Sequence, residues 1–151
     1  LTEVRPDMAV VDPCCGAGTI PIEAAPGGAV ARAGDAHLQA VHATQINAAA
    51  AGVVVDVRRW DAQALPLADA SVARVVTNLP WGRRVAVDVA LEGFYRRVCI
   101  EMERVLAPRG RLAVLTSLPH LLQFSTLRCD MRMQISLFGQ TPTVALFAEE
   151  E

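Results

Sequence analysis

Short apolar runs alternate with segments of helical periodicity along most of this 151-residue chain. Such alternation is typical of a parallel sheet with helices on both faces. Two further apolar runs flank the turn sequence GQTP and predict an antiparallel hairpin at the C-terminal end. The predicted strands are 8–12, 29–35, 53–58, 72–77, 111–116, about 129–138 and 143–149, and the predicted helices are 18–25, 37–51, 88–107 and a short one near 119–124. The sequence therefore predicts one doubly wound α/β domain with a mostly parallel sheet of seven strands.

Composition excludes several classes of protein. Hydrophobic residues make up 52% of the chain and charged residues 20%, which favours a compact fold over disorder. Apolar runs are short, so no segment resembles a membrane span. The net charge of −2 provides no overall basic surface, and the arginine pairs at 58–59, 83–84 and 96–97 are interpreted first as solvated surface. All 14 basic residues are arginine, a bias typical of a GC-rich bacterial genome.

Cysteine and histidine positions argue against a metal site. The four cysteines contain no C-x-x-C pair, and the three histidines fall at no metal-ligand spacing. Adjacent Cys14 and Cys15 could bridge each other only with heavy strain. Because the sequence shows no secretory segment, we expect a cytoplasmic protein whose cysteines are free thiols.

A glycine turn follows the first predicted strand, in the stretch VVDPCCGAGT at residues 10–19. Gly16 and Gly18 allow a tight turn and a close approach of the backbone to a ligand. The N-terminus of the following helix suits a negatively charged group, although a plain strand-to-helix turn has the same pattern. Pro21 stands where a dinucleotide-binding fingerprint has its third glycine, which disfavours NAD.

Acidic residues follow the next two predicted strands. Asp35 can accept both ribose hydroxyls of an adenosine, or it can cap the helix that follows. Asp61 can accept from an adenine amino group while the Ala62 backbone N–H donates to the ring, or it can belong to an ordinary turn. Because the carboxyl ends of parallel strands share one edge of a sheet, these loops together favour an adenosine-containing ligand.

The fourth predicted strand ends in the sequence TNLPWG at residues 77–82. Pro80 biases Leu79 toward extended geometry, which gives the Leu79 carbonyl a set direction. The Asn78 side-chain oxygen and that carbonyl can together accept both hydrogens of an exocyclic amino group, with Trp81 stacked on the base that carries it. The alternative is that Asn78 caps a turn and Trp81 fills the core.

These two motifs together resemble those of class I S-adenosylmethionine-dependent methyltransferases. More narrowly, DPCCGAGTIPIEAA with TNLPWGRRV is similar to RNA guanine-N2 methyltransferases that join this domain to an N-terminal THUMP domain. The usual family forms are close to D-P-F-C-G-S-G-T-I-x-I-E-A-A and [DN]-[LP]-P-[YFW]-G, and the resemblance covers essentially the whole chain. It implies a Rossmann-like catalytic domain over residues 1–151, S-adenosyl-L-methionine as cofactor, RNA (in particular tRNA) as substrate, and a packing role for Cys15.

The resemblance also implies roles for individual residues. Asp12 and the two loop glycines would line the methionine end of the cofactor. The full set implied for the cofactor is Asp12, Cys14, Gly16, Gly18, Thr19, Asp35, Ala36, Asp61, Ala62 and Asn78. The set implied for the target base and for catalysis is Asn78, Leu79, Pro80 and Trp81. Trp81, Arg83 and Arg84 would contact the RNA, the arginines through its phosphates.

The chain departs from the family pattern at three points. His37 stands where relatives often have a second acid for the ribose. Leu79 replaces the first proline of the common N-P-P-Y form but still supplies a carbonyl. The THUMP domain and the helix before the first strand are missing, so we expect a catalytic-domain fragment of a longer protein.

The expected reaction is direct in-line methyl transfer to the N2 amino group of guanine. Hydrogen bonds from that group to Asn78 and to the Leu79 carbonyl would localise its lone pair toward the methyl group, and positioning of both reactants supplies further rate. Two alternatives remain open. The Asn-x-Pro-aromatic sequence suits any amino nitrogen, including adenine N6 in DNA, and a domain with a decayed site would bind cofactor without transfer. Intact Gly16, Gly18, Asp35 and Asn78 weigh against decay.

Overall fold

The computed structural model describes residues 3–81, 89–137 and 139–149, which form one seven-stranded sheet with helices. The strands are β1 (Ala9–Asp12), β2 (Val30–Asp35), β3 (Asp56–Arg59), β4 (Val72–Asn78), β5 (Leu106–Thr116), β6 (Leu127–Gln134) and β7 (Thr143–Glu149). The helices are α1 (Thr19–Ala24), α2 (Leu38–Ala51) and α3 (Val89–Val105), with short 3-10 turns at Ala25–Gly27 and Pro119–Leu121. Within these residues, no helix is both long and apolar enough to cross a lipid bilayer.

The strand order is β3-β2-β1-β4-β5-β7-β6. Neighbours from β3 through β5 pair in parallel, whereas β7 pairs antiparallel with both β5 and β6. The α/β architecture with a mostly parallel sheet and a C-terminal hairpin is therefore confirmed.

Both faces of the sheet are covered. Val11 of β1 packs in the main hydrophobic core with α3 residues such as Val98 and Met102. Neighbouring Val10 is also buried, and it points to the opposite face because side chains alternate along a strand. There α1 and α2 pack against β1, β2 and β3. This double coverage explains why the central strands are apolar on both faces.

Five elements differ from the sequence prediction by more than one residue, and one of them is β6, which was predicted at about 129–138 and spans Leu127–Gln134. The predicted helix 88–107 ends at Val105, and β5 begins immediately at Leu106 rather than at residue 111. Leu106 pairs with Val72 of β4, so a long-range contact extends the strand back through the Ala-Pro-Arg-Gly sequence. The predicted strand 53–58 begins three residues later and ends one residue later, at Asp56–Arg59, and these residues pair with β2. The predicted helix near 119–124 is a single 3-10 turn.

The chain reverses its winding direction at β1, which lies between β2 and β4. In open α/β sheets, ligands bind beyond the carboxyl ends of the strands at such a switch point. Asp12 at the end of β1 and Thr77 near the end of β4 meet across it, with Thr77 Oγ1 donating to Asp12 Oδ1 at 2.8 Å. The topology therefore places a candidate site above this pair.

Candidate functional site

A cavity of about 430 Å³ opens at the carboxyl ends of β1, β2 and β4. Its walls come from four separate segments of the chain and from α3. The lining residues are Pro13, Cys14, Asp35, Ala36, His37, Asp61, Ala62, Asn78, Leu79, Pro80, Trp81 and Phe94. Three of the predicted loops, after β2, after β3 and after β4, thus meet in one concavity with the turn after β1.

The three acidic residues of these loops share one local geometry. In each, Oδ1 accepts a hydrogen bond from the backbone N–H two residues ahead, the arrangement that characterises an Asx turn. The pairs are Cys14 with Asp12 at 3.1 Å, His37 with Asp35 at 3.0 Å and Gln63 with Asp61 at 2.9 Å. Each carboxylate is therefore held by its own loop. Asp35 and Asp61 line the cavity as well, so the turn role and a ligand-binding role are compatible.

Asp35 also ties its loop to the glycine turn. The Gly16 N–H donates to Asp35 Oδ2 at 3.1 Å. The N-cap of α2 is His37 rather than Asp35, so the alternative of a simple capping aspartate is not what the structure shows. The carboxylate still has acceptor capacity toward the cavity, since its two oxygens provide about four lone-pair sites.

Gly18 is required for packing rather than for lining this cavity. It has a φ of +87°, and a Cβ built there would lie 2.5 Å from Thr44 Cγ2. The Thr44 hydroxyl in turn donates to the Gly16 carbonyl at 3.0 Å. Neither Gly16, Gly18 nor Thr19 lines the 430 Å³ cavity. Their predicted contact with a ligand therefore stays a prediction.

Asp12 lies beneath the cavity and is 2% exposed. Burial raises the pKa of its carboxyl to about 7, the hydrogen bonds from Thr77 and Cys14 oppose this rise, and the negative charge of Asp35 adds to it. An opposite charge close to a buried carboxyl favours the ionised form. The site can therefore couple binding of a cationic group to loss of a proton from Asp12.

The adjacent cysteines are arranged neither as a disulfide nor as part of a metal site. All four cysteines of the chain are free thiols, and the described residues contain no cluster of three or more groups suited to a metal. Burial raises the pKa of the Cys14 thiol, and it raises that of Cys15 to about 11. Cys15 Sγ lies 3.5 Å from Thr44 Oγ1. Both thiols are therefore protonated at neutral pH, and Cys15 packs the loop against α2.

Trp60 supports the loop after β1 from below. Its indole N–H donates to the Pro13 carbonyl at 3.0 Å, and its ring occupies the space beside Gly34. A Cβ at Gly34 would lie 2.3 Å from Trp60 Cε2. The close contact of ring and backbone brings the loops after β1 and β3 together.

The Asn78–Trp81 segment carries an internal hydrogen bond that the sequence did not reveal. The Trp81 indole N–H donates to Asn78 Oδ1 at 2.7 Å. Because an indole nitrogen can only donate, this contact identifies the Asn78 oxygen and settles which way the amide is turned. A carbonyl-type oxygen has a second lone pair, so Asn78 Oδ1 can still accept from a ligand.

The backbone of the same segment is held at three points. The Leu79 N–H donates to the Leu115 carbonyl at 3.0 Å. The Tyr95 hydroxyl donates to the Pro80 carbonyl at 2.8 Å, and Ser117 Oγ donates to the Trp81 carbonyl at 3.2 Å. These contacts connect the segment to β5 and α3, and they make it a rigid edge of the cavity.

Most sequence-predicted residues meet at this site, with two groups of exceptions. The turn residues at 16, 18 and 19 and Asp12 lie outside its wall, as described above. Arg83 and Arg84 lie outside the described residues. Phe94, Pro13 and His37 line the cavity although no binding role was predicted for them. Phe94 lies within the predicted helix 88–107, and the sequence around it contains no signal of its contact with the loops.

Comparison with known proteins agrees with this geometry. The model of the family described as UPF0020, RMKL-like, methyltransferase domain matches residues 1–38 and 27–145. The chain is 34% identical over 132 residues to the mouse tRNA (guanine(6)-N(2))-methyltransferase THUMP3, covering 77% of this chain and 26% of that protein. It is 35% identical over 128 residues to a tRNA (guanine(6)-N2)-methyltransferase of Thermus thermophilus, covering 82% of this chain and 38% of that protein.

Solved structures show the same fold. TrmN from Thermus thermophilus superposes with a TM-score of 0.88 at 28% identity, over 99% of this chain and 46% of that chain. SMU.472, a putative methyltransferase complexed with SAH, superposes with a TM-score of 0.82 at 17% identity, over 99% of this chain and 50% of that chain. The chain thus spans only about a quarter to a half of the length of these relatives.

Proposed function

Because this chain belongs to the RMKL-like methyltransferase-domain family, we propose that it is the catalytic domain of a methyltransferase that uses S-adenosyl-L-methionine to modify guanine N2 in tRNA. The observation that carries the proposal is that Asp35, Asp61 and the Asn78–Trp81 segment line one cavity. Acceptors for an adenosine and acceptors for an amino group are thereby placed side by side. The names of the curated relatives supply the substrate class.

The residues of the cavity suit an adenosine. Asp35 and Asp61 offer carboxylate oxygens to ribose hydroxyls and to an adenine amino group. Pro13 and Ala36 provide small apolar surfaces in the same cavity, and the volume of about 430 Å³ is within the range of small-molecule sites. Below the wall, Asp12 supports this use, since its ionised form would stabilise a cationic group of the cofactor.

The Asn78–Trp81 segment suits an amino group on a flat base. Asn78 Oδ1 and the Leu79 carbonyl accept the two amino hydrogens, which turns the nitrogen lone pair away from the ring. Trp81 and Phe94 offer aromatic surface in the same cavity for the base. Bound S-adenosyl-L-methionine supplies an electrophilic methyl group. The rest of the catalysis consists of positioning by these residues, which reaches large factors when both reactants are held in attack geometry.

The wider assignments belong to the same proposal. The chain acts as one catalytic domain over residues 1–151, and Arg83 and Arg84, just past Trp81, contact RNA phosphates. Four free thiols support a reducing, cytoplasmic location. Because the net charge of −2 gives the chain no overall attraction for RNA, its RNA contacts should come from local groups of arginines.

The test is to incubate undermodified tRNA and duplex DNA separately with the chain and labelled S-adenosyl-L-methionine, then digest each polymer and identify the methylated nucleoside by mass spectrometry. We expect N2-methylguanosine from tRNA. Methyladenine from DNA would contradict the guanine assignment but leave amino-group methylation in place. Cofactor binding without transfer to either polymer, both for this chain and for a longer protein that contains it, would refute the catalytic proposal.

A further inference from the structure

A second concavity of about 580 Å³ lies between α3 and the 3-10 turn that follows β5. We call it the arginine groove. It shares no lining residue with the cavity described above. Its lining residues from α3 are Glu92, Gly93, Arg96 and Arg97, and those from the turn and the segment directly after it are His120, Leu121 and Gln123.

Both walls of the arginine groove are attached to the Asn78–Trp81 segment. On α3, Phe94 lines the first cavity and Tyr95 donates to the Pro80 carbonyl, within about one helical turn of Arg96 and Arg97. On the other wall, Ser117 Oγ donates to the Trp81 carbonyl three residues before His120. The groove therefore borders the place where the target base would enter.

The lining residues of the arginine groove carry more positive than negative charge. Arg96 and Arg97 are exposed, and neither makes a hydrogen bond or ion pair with another described residue. Glu92 is the one carboxylate among the described lining residues. In contrast, Arg104 of the same helix is held by Glu101 and Asp69. Among the described residues, the two guanidinium groups of the groove thus have no partner, and the planar guanidinium fork matches the oxygens of a phosphate.

We propose that the arginine groove binds backbone phosphates of the RNA strand that carries the target guanine. The proposal rests on the proposed function, because it places the phosphates next to a base held at Asn78. Phosphate contacts fix the position and orientation of a nucleic acid, whereas base contacts select the nucleotide. The pair 96–97 is therefore more than the solvated surface that the sequence alone suggested.

The test compares two double variants with the same change of charge. Arg96→Gln/Arg97→Gln removes the groove charges. Arg109→Gln/Arg128→Gln is the control: both of its positions are exposed and lie toward the amino end of β5, away from Thr116, where the site begins. Affinity for an unmodified tRNA transcript is measured by fluorescence anisotropy over a range of salt concentrations. Affinity for S-adenosyl-L-methionine is measured by calorimetry.

We expect the groove variant to bind tRNA about tenfold or more weakly at low salt, with unchanged cofactor affinity. The slope of log affinity against log salt should decrease by about 0.7–0.9 for each arginine removed. In methyl transfer, the KM for tRNA should rise more than kcat falls. The control should match the wild type in all three measurements.

Three results would overturn the proposal, and the first two are a groove variant with the wild-type salt slope and a wild-type chain with no salt-dependent binding of tRNA. An equal loss in the control would also overturn it, since the effect would then be one of net charge alone. The proposed function has a separate readout, the identity of the methylated nucleoside. Methylguanosine with an unchanged slope refutes the groove only, whereas a changed slope with methyladenine as product refutes only the guanine assignment.

Discussion

Replacing Tyr95 with phenylalanine removes one hydroxyl group from a fully buried side chain and leaves the ring in place. That hydroxyl donates to the Pro80 carbonyl at 2.8 Å and lies 2.6 Å from Thr116 Oγ1. Burial raises the pKa of Tyr95 to about 12, so the phenol is a protonated donor at every pH of interest. The Tyr95→Phe variant isolates the contact between α3 and the segment that would hold the target base.

The magnitude follows from the partners left behind. The Pro80 carbonyl loses the donor that the structure provides. The fully buried Thr116 hydroxyl still accepts from the Leu118 N–H at 2.9 Å, but it loses the Tyr95 oxygen to which it donates, because Tyr95 gives its single hydrogen to Pro80. A buried polar group left without its partner costs about 1–3 kcal/mol. For a chain of this size, about 2 kcal/mol corresponds to a decrease in Tm of about 4–8 °C. We also expect kcat to fall about tenfold, because about 1.4 kcal/mol of lost positioning at Pro80 has that effect.

Thermal unfolding by circular dichroism and steady-state methyl transfer to tRNA test this prediction together. Cofactor affinity should be unchanged, since Asp35 and Asp61 lie on other loops. Thr116→Val is the matched control. It removes a buried hydroxyl near Tyr95 but leaves the hydroxyl that reaches Pro80, so we expect lower stability with nearly normal kcat. A Tyr95→Phe variant with wild-type Tm and wild-type kcat would refute the positioning role, and equal loss of kcat in both variants would reduce it to a general effect of stability.

Three other predictions concern single residues. Gly34→Ala should lower the free energy of unfolding, measured in urea, by about 1–3 kcal/mol, because its Cβ would lie 2.3 Å from Trp60 Cε2. The control is Gly93→Ala, which should be neutral or stabilising, since it lies in a helix and the nearest atom to its Cβ would be 3.8 Å away. Asn78→Ala should lower kcat about 10²-fold with little change in cofactor affinity, measured by single-turnover transfer and calorimetry, and an unchanged rate would remove Asn78 from the mechanism. The folded-state pKa of Asp12 is raised from 3.8 to about 7, so the folded chain binds the extra proton between these values and the free energy of unfolding should fall as pH rises from about 4 to about 7. The total change is about 4 kcal/mol, at about 1.4 kcal/mol per pH unit, and urea unfolding of Asp12→Asn across this range should lack it.

Local patterns in the sequence were sufficient to predict the architecture and much of the site. A strand and a helix have different periodicities, so their alternation predicts a parallel sheet before any long-range contact is known. In such a sheet the carboxyl ends of the strands lie at one edge. The residues directly after the strands were therefore expected to meet, and Asp35, Asp61 and Asn78 do line one cavity.

Only the tertiary structure decided the contacts between residues that are distant in the chain. Thr77 donates a hydrogen bond to Asp12, which is 65 positions away in the sequence, and Trp60 donates one to Pro13, which is 47 positions away. The start of β5 at Leu106 likewise depends on its partner in β4. No local pattern contains these pairings, because they arise when separately formed elements pack against each other.

The same limit applies to the functional surfaces. Phe94, Tyr95 and Arg96 are consecutive on α3, yet the first lines the cavity, the second holds Pro80 and the third lines the arginine groove. Helical geometry places successive side chains about 100° apart, and the sequence determines that spacing. Which surface each side chain meets depends on how the whole helix lies on the sheet, and the packing of the core determines that orientation.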